Sequence, residues 1–247
     1  MEKKDYFSRQ SKAYAAFRPK YPEALYQFIF SHLKRRSCAW DCGTGNGQVA
    51  QYLAAHFDSV CATDISPQQI HQAFPAKNIA YSVAHAETTS FPDHHFDLIT
   101  VAQALHWFNV PLFYQEVMRT GRPEGLLAVW GYALLTIDPV IDPVFQDFYF
   151  NKVGPYWDAA RKVVENQYED VPFPFETIES PRFYIRANWT VDQFAGYLSS
   201  WSATEKYIRT LGVDPVAAFI DKFKAVWKPG EVKLVTFPVF MKLGRIP

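Results

Sequence analysis

Residues 39–48 read AWDCGTGNGQ. An apolar run ends in an acid, Asp41. Glycines follow at 43, 45 and 47, and then a segment of helical spacing from Gln48 to Phe57. The pattern is strand, turn, helix. Glycine has no Cβ and tolerates positive φ, so a ligand can press against the backbone at such a turn. The strand–turn–helix context lifts the motif above a chance run of glycines. A tight turn that packs a helix onto its strand would use the same residues.

Two nucleotide ligands compete for this turn. The dinucleotide fingerprint, G-x-G-x-x-G, brings a pyrophosphate to a helix N-terminus. Here the third glycine comes one place early, and Gln48 stands where that fingerprint has glycine. Asp41 would repel a pyrophosphate but attract a ligand carrying an ammonium or a sulfonium. Asp64 ends the next apolar run, Ser59–Thr63. An acid there can accept hydrogen bonds from both ribose hydroxyls of either ligand. Beyond the third strand, Ala86-Glu87 offers a backbone amide and a polar side chain to an adenine edge.

Outward from this turn, strands are predicted at 37–41, 59–63, 79–84, 96–102 and 126–130. Helices are predicted at 22–35, 48–57 and 110–120, with another opening at Ser66-Pro67, a serine cap followed by a first-turn proline. The alternation implies βαβ units, a parallel sheet and right-handed crossovers. Near-continuous apolar strands fit a sheet covered on both faces. The pattern breaks after Trp130. Residues 138–170 are aromatic and mostly helical, 169–181 form a proline-punctuated loop, 190–227 are helical, and 182–188 and 231–243 read as strands. We expect one domain over 1–247. It comprises an N-terminal helical cap (1–35), a cofactor-binding core (36–130), and a helical substrate lid from 131–181 and 189–228.

Composition narrows the function. With 49% apolar residues in 247, a large core can form. Lys+Arg and Asp+Glu balance at 25 each, which removes the field expected of a nucleic-acid or anionic-membrane binder. No run approaches the roughly 20 apolar residues of a membrane span. The first residues lack the apolar core of a secretory signal, so a cytoplasmic protein is expected. Cys38, Cys42 and Cys61 are odd in number and form no CxxC pair, so neither a disulfide framework nor a metal site is expected. His94-His95 lacks metal-ligand spacing and reads as a solvated turn. The aromatic content supports either a pocket or a thick core around a helical cap.

With AWDCGTGNGQ, VCATDIS, AHAETTSFP and FDLITVAQALHWF in this order, residues 36–130 resemble the class I S-adenosylmethionine-dependent methyltransferases of the methyltransferase type 11 kind. FSRQSKAYAAFRPKYP, QALHW and WSATEKY resemble a narrower group, the trans-aconitate methyltransferase-like small-molecule enzymes. The resemblance implies an α/β fold: a doubly wound, Rossmann-like, seven-stranded sheet, mostly parallel, with an antiparallel β7 and a helical lid or insertion. It implies S-adenosylmethionine as cofactor. Asp41 would lie near the methionine amino group, directly or through water. Gly43, Thr44 and Gly45 would contact the methionine and ribose portion. Asp64 would take the ribose hydroxyls, Ile65 would pack on adenine, and Ala86 and Glu87 would lie at its edge. Ala102 and Gln103 would lie under the sulfonium and methionine tail, and Tyr14 and Arg18 would close over the cofactor.

Methyl transfer is an in-line displacement that needs alignment and a dry site more than proton chemistry. His106 follows the fourth strand at the expected acceptor edge. It can act as a base toward a hydroxyl, orient a carboxylate, or simply pack. Trp107, Trp130 and Trp201 are candidate walls of an acceptor pocket or core residues. Lys20, Arg161, Arg182 and Arg186 are candidate partners for an acidic acceptor or solvent-facing charges. The resemblance implies methylation of a small molecule, at a carboxylate or hydroxyl oxygen with nitrogen as the alternative, and no nucleic-acid, membrane or obligate protein partner is expected. A nicotinamide-dependent oxidoreductase and a non-catalytic nucleotide-binding protein are the alternatives.

Overall fold

The computed structural model describes residues 19–247. Tyr14 and Arg18 lie outside the described residues. Among those described, the chain divides into two compact units. One comprises 19–20, Leu134–Arg161 and Tyr184–Pro238; the other comprises Tyr21–Ala133, Lys162–Phe183 and Val239–Pro247.

The second unit carries β1 to β6 and the end of β8, and the elements of the whole described chain run in this order. Helix α1 (Glu23–Ser31) is followed by β1 (Cys38–Cys42), α2 (Gln48–Ala54), β2 (Ser59–Asp64), α3 (Pro67–His71), β3 (Ile79–Val83) and β4 (Phe96–Ala102). Then come α4 (Val110–Thr120) and β5 (Gly121–Tyr132). The α5 helix (Ile141–Gln146) precedes α6 (Arg161–Glu165), β6 (Glu176–Ile178), β7 (Phe183–Trp189), α7 (Val191–Ser199), α8 (Ser202–Leu211), α9 (Pro215–Val226) and β8 (Lys233–Arg245). The strand order is β3-β2-β1-β4-β5-β8-β6, and β7 also pairs with β8. Strands β1 to β5 are mutually parallel; β8 runs antiparallel to β5 and β6. The expected mostly parallel sheet with an antiparallel strand is present, but among the described residues it holds eight strands and not seven, since both β6 and β7 pair with β8.

Alternation along each strand sends side chains to two covered faces. Trp40 of β1 meets Phe96 and, under α4, Phe113, at centroid distances of 5.7 and 6.2 Å. On the other face Tyr26 of α1 stacks on Tyr52 of α2 at 3.8 Å and meets Trp130 of β5 edge-on at 6.1 Å. Trp40 and Trp130 are fully buried. Burial of each large apolar side chain contributes about 1.5–3 kcal/mol relative to exposure. The apolar β4 run, FDLITVA, is buried along nearly its whole length, as a doubly covered central strand requires. Helix α4 opens where the sequence signals it: Asn109 caps the amide of Leu112, and a proline sits in the first turn.

Three local readings change. Residues 121–125 are not a free loop. Gly121 pairs with Phe96 across a register shift, and Arg122 donates to Asp97 at 2.7 Å, so β5 begins five residues early. Within the proline-punctuated 169–181 segment, Glu176–Ile178 pairs with Leu243–Arg245 as β6. His94-His95 is more than a solvated turn: His94 is exposed, but the His95 ring lies 3.3 Å from the Cys38 sulfur.

The first unit is built on aromatic packing. Trp201 is 4% exposed and is ringed by Phe145, Phe148, Tyr149, Trp157 and Tyr197. Phe194, Phe223 and Trp227 extend this core along α7 and α9.

Candidate functional site at the carboxyl ends of the first strands

Chain order reverses between β1 and β4, so their carboxyl ends flank the crevice where ligands sit in open α/β sheets. Asp41 and Ala102-Gln103 stand at those ends.

Asp41 is 1% exposed. Its carboxylate accepts from the Thr44 hydroxyl, from the Thr100 hydroxyl at 2.8 Å and from the Ala50 amide at 3.1 Å. Ala50 is in the first turn of α2, whose N-cap is Gly47 and has no side-chain cap. Asp41 therefore supplies, from the strand below, the acceptor that a capping side chain would give. Burial pushes its carboxyl up to about 6, against the pull of the three donors.

Asp64, by contrast, is half-buried. Its two oxygens accept from the Gly45 amide at 2.8 Å and the Ser66 amide at 2.9 Å. These two bonds fix the orientation of the group. Ser66 caps its own helix through Gln69, as expected. Ile65 beside it is 44% exposed, a large apolar side chain at the sheet edge.

The three motif glycines differ. All have positive φ: +71° at Gly43, +55° at Gly45 and +84° at Gly47. A Cβ on Gly43 would stand 2.7 Å from Ala104 Cβ, and one on Gly47 would stand 2.3 Å from the Tyr81 hydroxyl. On Gly45 it would meet nothing closer than 3.9 Å. Gly43 and Gly47 are thus demanded by close contacts within the protein, whereas at Gly45 a Cβ would make only an ordinary contact with Gln69. The amides of Gly43 and Thr44 both donate to the Thr63 carbonyl at 2.9 Å, so the turn is stapled to β2.

The next two strand ends complete the edge. Ala86 is buried in the core, and Glu87 accepts from the Asn109 amide at 2.7 Å. Ala102 and Gln103 are half-buried. Gln103 has φ +55°, and its Oε1 accepts from the Tyr132 amide at 2.9 Å. Its Nε2 is buried without a hydrogen-bond partner. Gly131 makes this possible, because a Cβ there would stand 2.4 Å from Gln103 Oε1. The sequence signal for that contact was a glycine inside an apolar strand, which marks close approach.

His106 lies in a 3₁₀ turn (Leu105–Trp107) just past β4, half-buried, with Trp107 at 4.7 Å. Its Nδ1 is 3.0 Å from the hydroxyl of Tyr168, which sequence reasoning did not single out. Tyr168 is fully buried and packs edge-on against Phe240 at 5.2 Å. The chain after α6 closes in a Schellman turn: Tyr168 N bonds Val163 O, and Gln167 N bonds Val164 O. Gln167 and Tyr168 have φ of +52° and +59°. Such backbone costs about 1–3 kcal/mol for non-glycine residues.

The remaining candidates have other surroundings. Trp130 is core beneath α1, and Trp201 is core of the aromatic unit. Arg161 donates to the Tyr149 hydroxyl at 3.1 Å and lies over the Trp157 ring. Lys20, Arg182 and Arg186 are exposed.

The chain is similar to known proteins. Residues 40–129 match the methyltransferase domain family. A Dictyostelium discoideum protein, provisionally named a methyltransferase, is 35% identical over 249 residues, covering 98% of this chain and 95% of its own. A Saccharomyces cerevisiae protein named for S-adenosylmethionine-dependent methyl transfer is 24% identical over 274 residues, 92% of this chain and 91% of that one. The structure of an Anaeromyxobacter dehalogenans protein, provisionally called a type II methyltransferase, aligns with a TM-score of 0.86 and 38% identity. The alignment covers 94% of this chain and 99% of that one. Likeness that runs the length of the chain, through the strand ends just described, gives the fold its chemical meaning: the chain belongs to the class I S-adenosylmethionine-dependent methyltransferases.

Proposed function

We propose that the chain transfers a methyl group from S-adenosylmethionine to an oxygen of a small molecule, in the manner of the trans-aconitate methyltransferase-like group. The cofactor would lie over Gly45 and against Asp64. The observation that supports the placement is Asp64: a half-buried carboxylate that accepts from two amides, one of them that of Gly45, beside the exposed Ile65. Acceptor oxygens suit ribose hydroxyls, and the apolar neighbour suits an adenine face.

When bound, S-adenosylmethionine supplies an electrophilic methyl carbon and a neutral thioether leaving group. This chain's residues would hold and align. Glu87 and the Ala86 backbone border the adenine side. Gln103 presents the buried Nε2 donor, which suits the carboxylate end of the methionine portion. Asp41 and Thr44 build the turn from within and add negative field near the methionine ammonium. His106 and Trp107 stand at the end of β4, where the acceptor would be received. Holding two reactants in line is worth on the order of 7–11 kcal/mol. Zero formal charge favours a small acceptor over a nucleic acid.

Titration calorimetry with S-adenosylmethionine, its demethylated product and NAD tests the reading, followed by a methyl-transfer screen of small carboxylates, alcohols and phenols. The first two ligands should bind, and NAD should not. Tight NAD binding, or binding of S-adenosylmethionine with no methyl transfer to any small oxygen acceptor, would overturn it.

A further inference from the structure

We propose that Cys38 and Cys61 form a thiol pair that hydrogen peroxide oxidises to a reversible disulfide, with Cys38 as the sulfur that attacks. The site goes beyond the methyl-transfer reading and is independent of it. It lies toward the amino ends of β1 and β2, the opposite edge of the sheet from the crevice.

Register brings the two cysteines together. Trp40 of β1 is paired with Cys61 of β2, and Cys38 with Ser59. Side chains two apart on a strand share a face, so Cys38 and Cys61 are diagonal neighbours on one face of the sheet. The Cys38 sulfur lies 3.3 Å from Nε2 of His95, which immediately precedes β4. Cys61 and Ser59 also hydrogen-bond to that sulfur, and the Arg122 guanidinium adds positive field. Asp97 accepts from the Cys38 amide at 3.0 Å, but its charge is met by Arg35 and Arg122. Cys38 is 4% exposed. The way in lies beside it: Ser59 is exposed, Cys61 is half-buried, and Ala80, the register partner of Cys61 on β3, is exposed. A small oxidant can pass there.

A sulfur ringed by donors reacts as a thiolate. The Cys61 thiol, with Ser59, His95 and Arg122 beside it, pulls the Cys38 thiol down to about 6 against the cost of burial. The same bond pushes the Cys61 thiol up, so Cys61 keeps its proton for the second step. The Cys38 thiolate forms an S–O bond with hydrogen peroxide as the O–O bond breaks, and the departing hydroxide takes a proton from solvent to become water. The Cys61 sulfur then bonds to the Cys38 sulfur, and the sulfenic hydroxyl leaves with the Cys61 proton as a second water. The two cysteines lose two electrons in all, and the peroxide gains them. A bridge between diagonal neighbours strains the strand pair, and strained bridges are the readily reduced ones. Cys42 is the internal control: it is fully buried, and burial pushes its thiol well up.

The test uses the full chain and hydrogen peroxide itself. Peroxide should remove about 2 Da from the folded chain, join the Cys38 and Cys61 peptides in a digest, and leave Cys42 free; dithiothreitol should reverse the change. In Cys61→Ser, dimedone should trap a sulfenic acid at Cys38. In Cys38→Ser, oxidation of Cys61 should be at least about tenfold slower. The wild type alone gives a further check. Alkylation of Cys38 by iodoacetamide, read by mass spectrometry, should reach half its maximal rate at about pH 6, against about 8.5 for a free thiol. His95→Gln should move that midpoint upward. A pair left unoxidised, a sulfenic acid that persists on Cys38 beside a free Cys61, oxidation of Cys42 first, or a Cys38 midpoint above about pH 8 would overturn the proposal. S-adenosylmethionine takes no part, so failure of the functional reading would leave these measurements standing.

Discussion

The ends of β1 and β2 finish in the same residue type and come to opposite uses. Asp41 is sealed and accepts from three internal donors; Asp64 is half-buried and accepts from the Gly45 and Ser66 amides. What separates them is the helix that follows. After β1, the N-cap of α2 is Gly47, which has no side chain, so the strand acid fills the capping role. After β2, Ser66 caps α3, and the strand acid is half-buried and not needed as that cap. An acid at a strand end is thus read by asking who caps the next helix.

The largest expected effect that would break this comparison is on stability. Asp41→Ala leaves two hydroxyls and a helix amide without their acceptor and should cost about 3 kcal/mol in urea unfolding. A loss under about 1 kcal/mol would mean that Asp41 caps nothing. Comparable in size is a pH effect. The folded Asp41 carboxyl titrates at about 6, against 3.8 without burial. Between these values the native state holds a proton that the unfolded chain has released. Stability from this group is therefore greatest below pH 4 and falls as pH rises to about 6, by about 3 kcal/mol in all. Asp41→Asn should remove that slope, as unfolding free energies across pH 4–7 would show; a slope kept in the variant would assign it elsewhere.

Smaller effects sharpen the picture at the glycines. Gly43→Ala places a Cβ 2.7 Å from Ala104 and should cost about 2 kcal/mol. Gly45→Ala would make only an ordinary contact with Gln69 and should cost only about 1 kcal/mol of stability, from its left-handed φ, but at least tenfold in S-adenosylmethionine affinity. Equal losses of stability at the two positions would erase the distinction between them. Least of all, Gln167→Gly should stabilise by up to about 1 kcal/mol, since glycine takes the left-handed position without strain.

Much of the sheet was legible because βαβ punctuation is local. Ser66-Pro67 and Asn109 announce their helices, and the apolar runs at 59–64 and 96–102 need only burial to become strands. Asp41, Asp64, Ala102 and Gln103 could be placed at strand ends for the same reason, since they sit at fixed offsets from the apolar runs. What could not be read depends on distant partners. Glu176–Ile178 becomes a strand only because β8 lies beside it. Trp130 and Trp201 look like pocket walls in one dimension and prove to be core once Tyr26 and Tyr149 are placed. Tyr168 lies 62 residues from His106, with no local signal to join them. The glycines at 43, 45 and 47 look alike in sequence; Ala104 and Tyr81 tell them apart.

The most direct test of the account is calorimetry of S-adenosylmethionine against Asp64→Ala beside the wild type, with unfolding curves to show that both are folded. Loss of an acceptor for two ribose hydroxyls should weaken binding at least tenfold, about 1.4 kcal/mol or more. An unchanged Kd in a folded variant would place the cofactor away from the end of β2 and contradict the account.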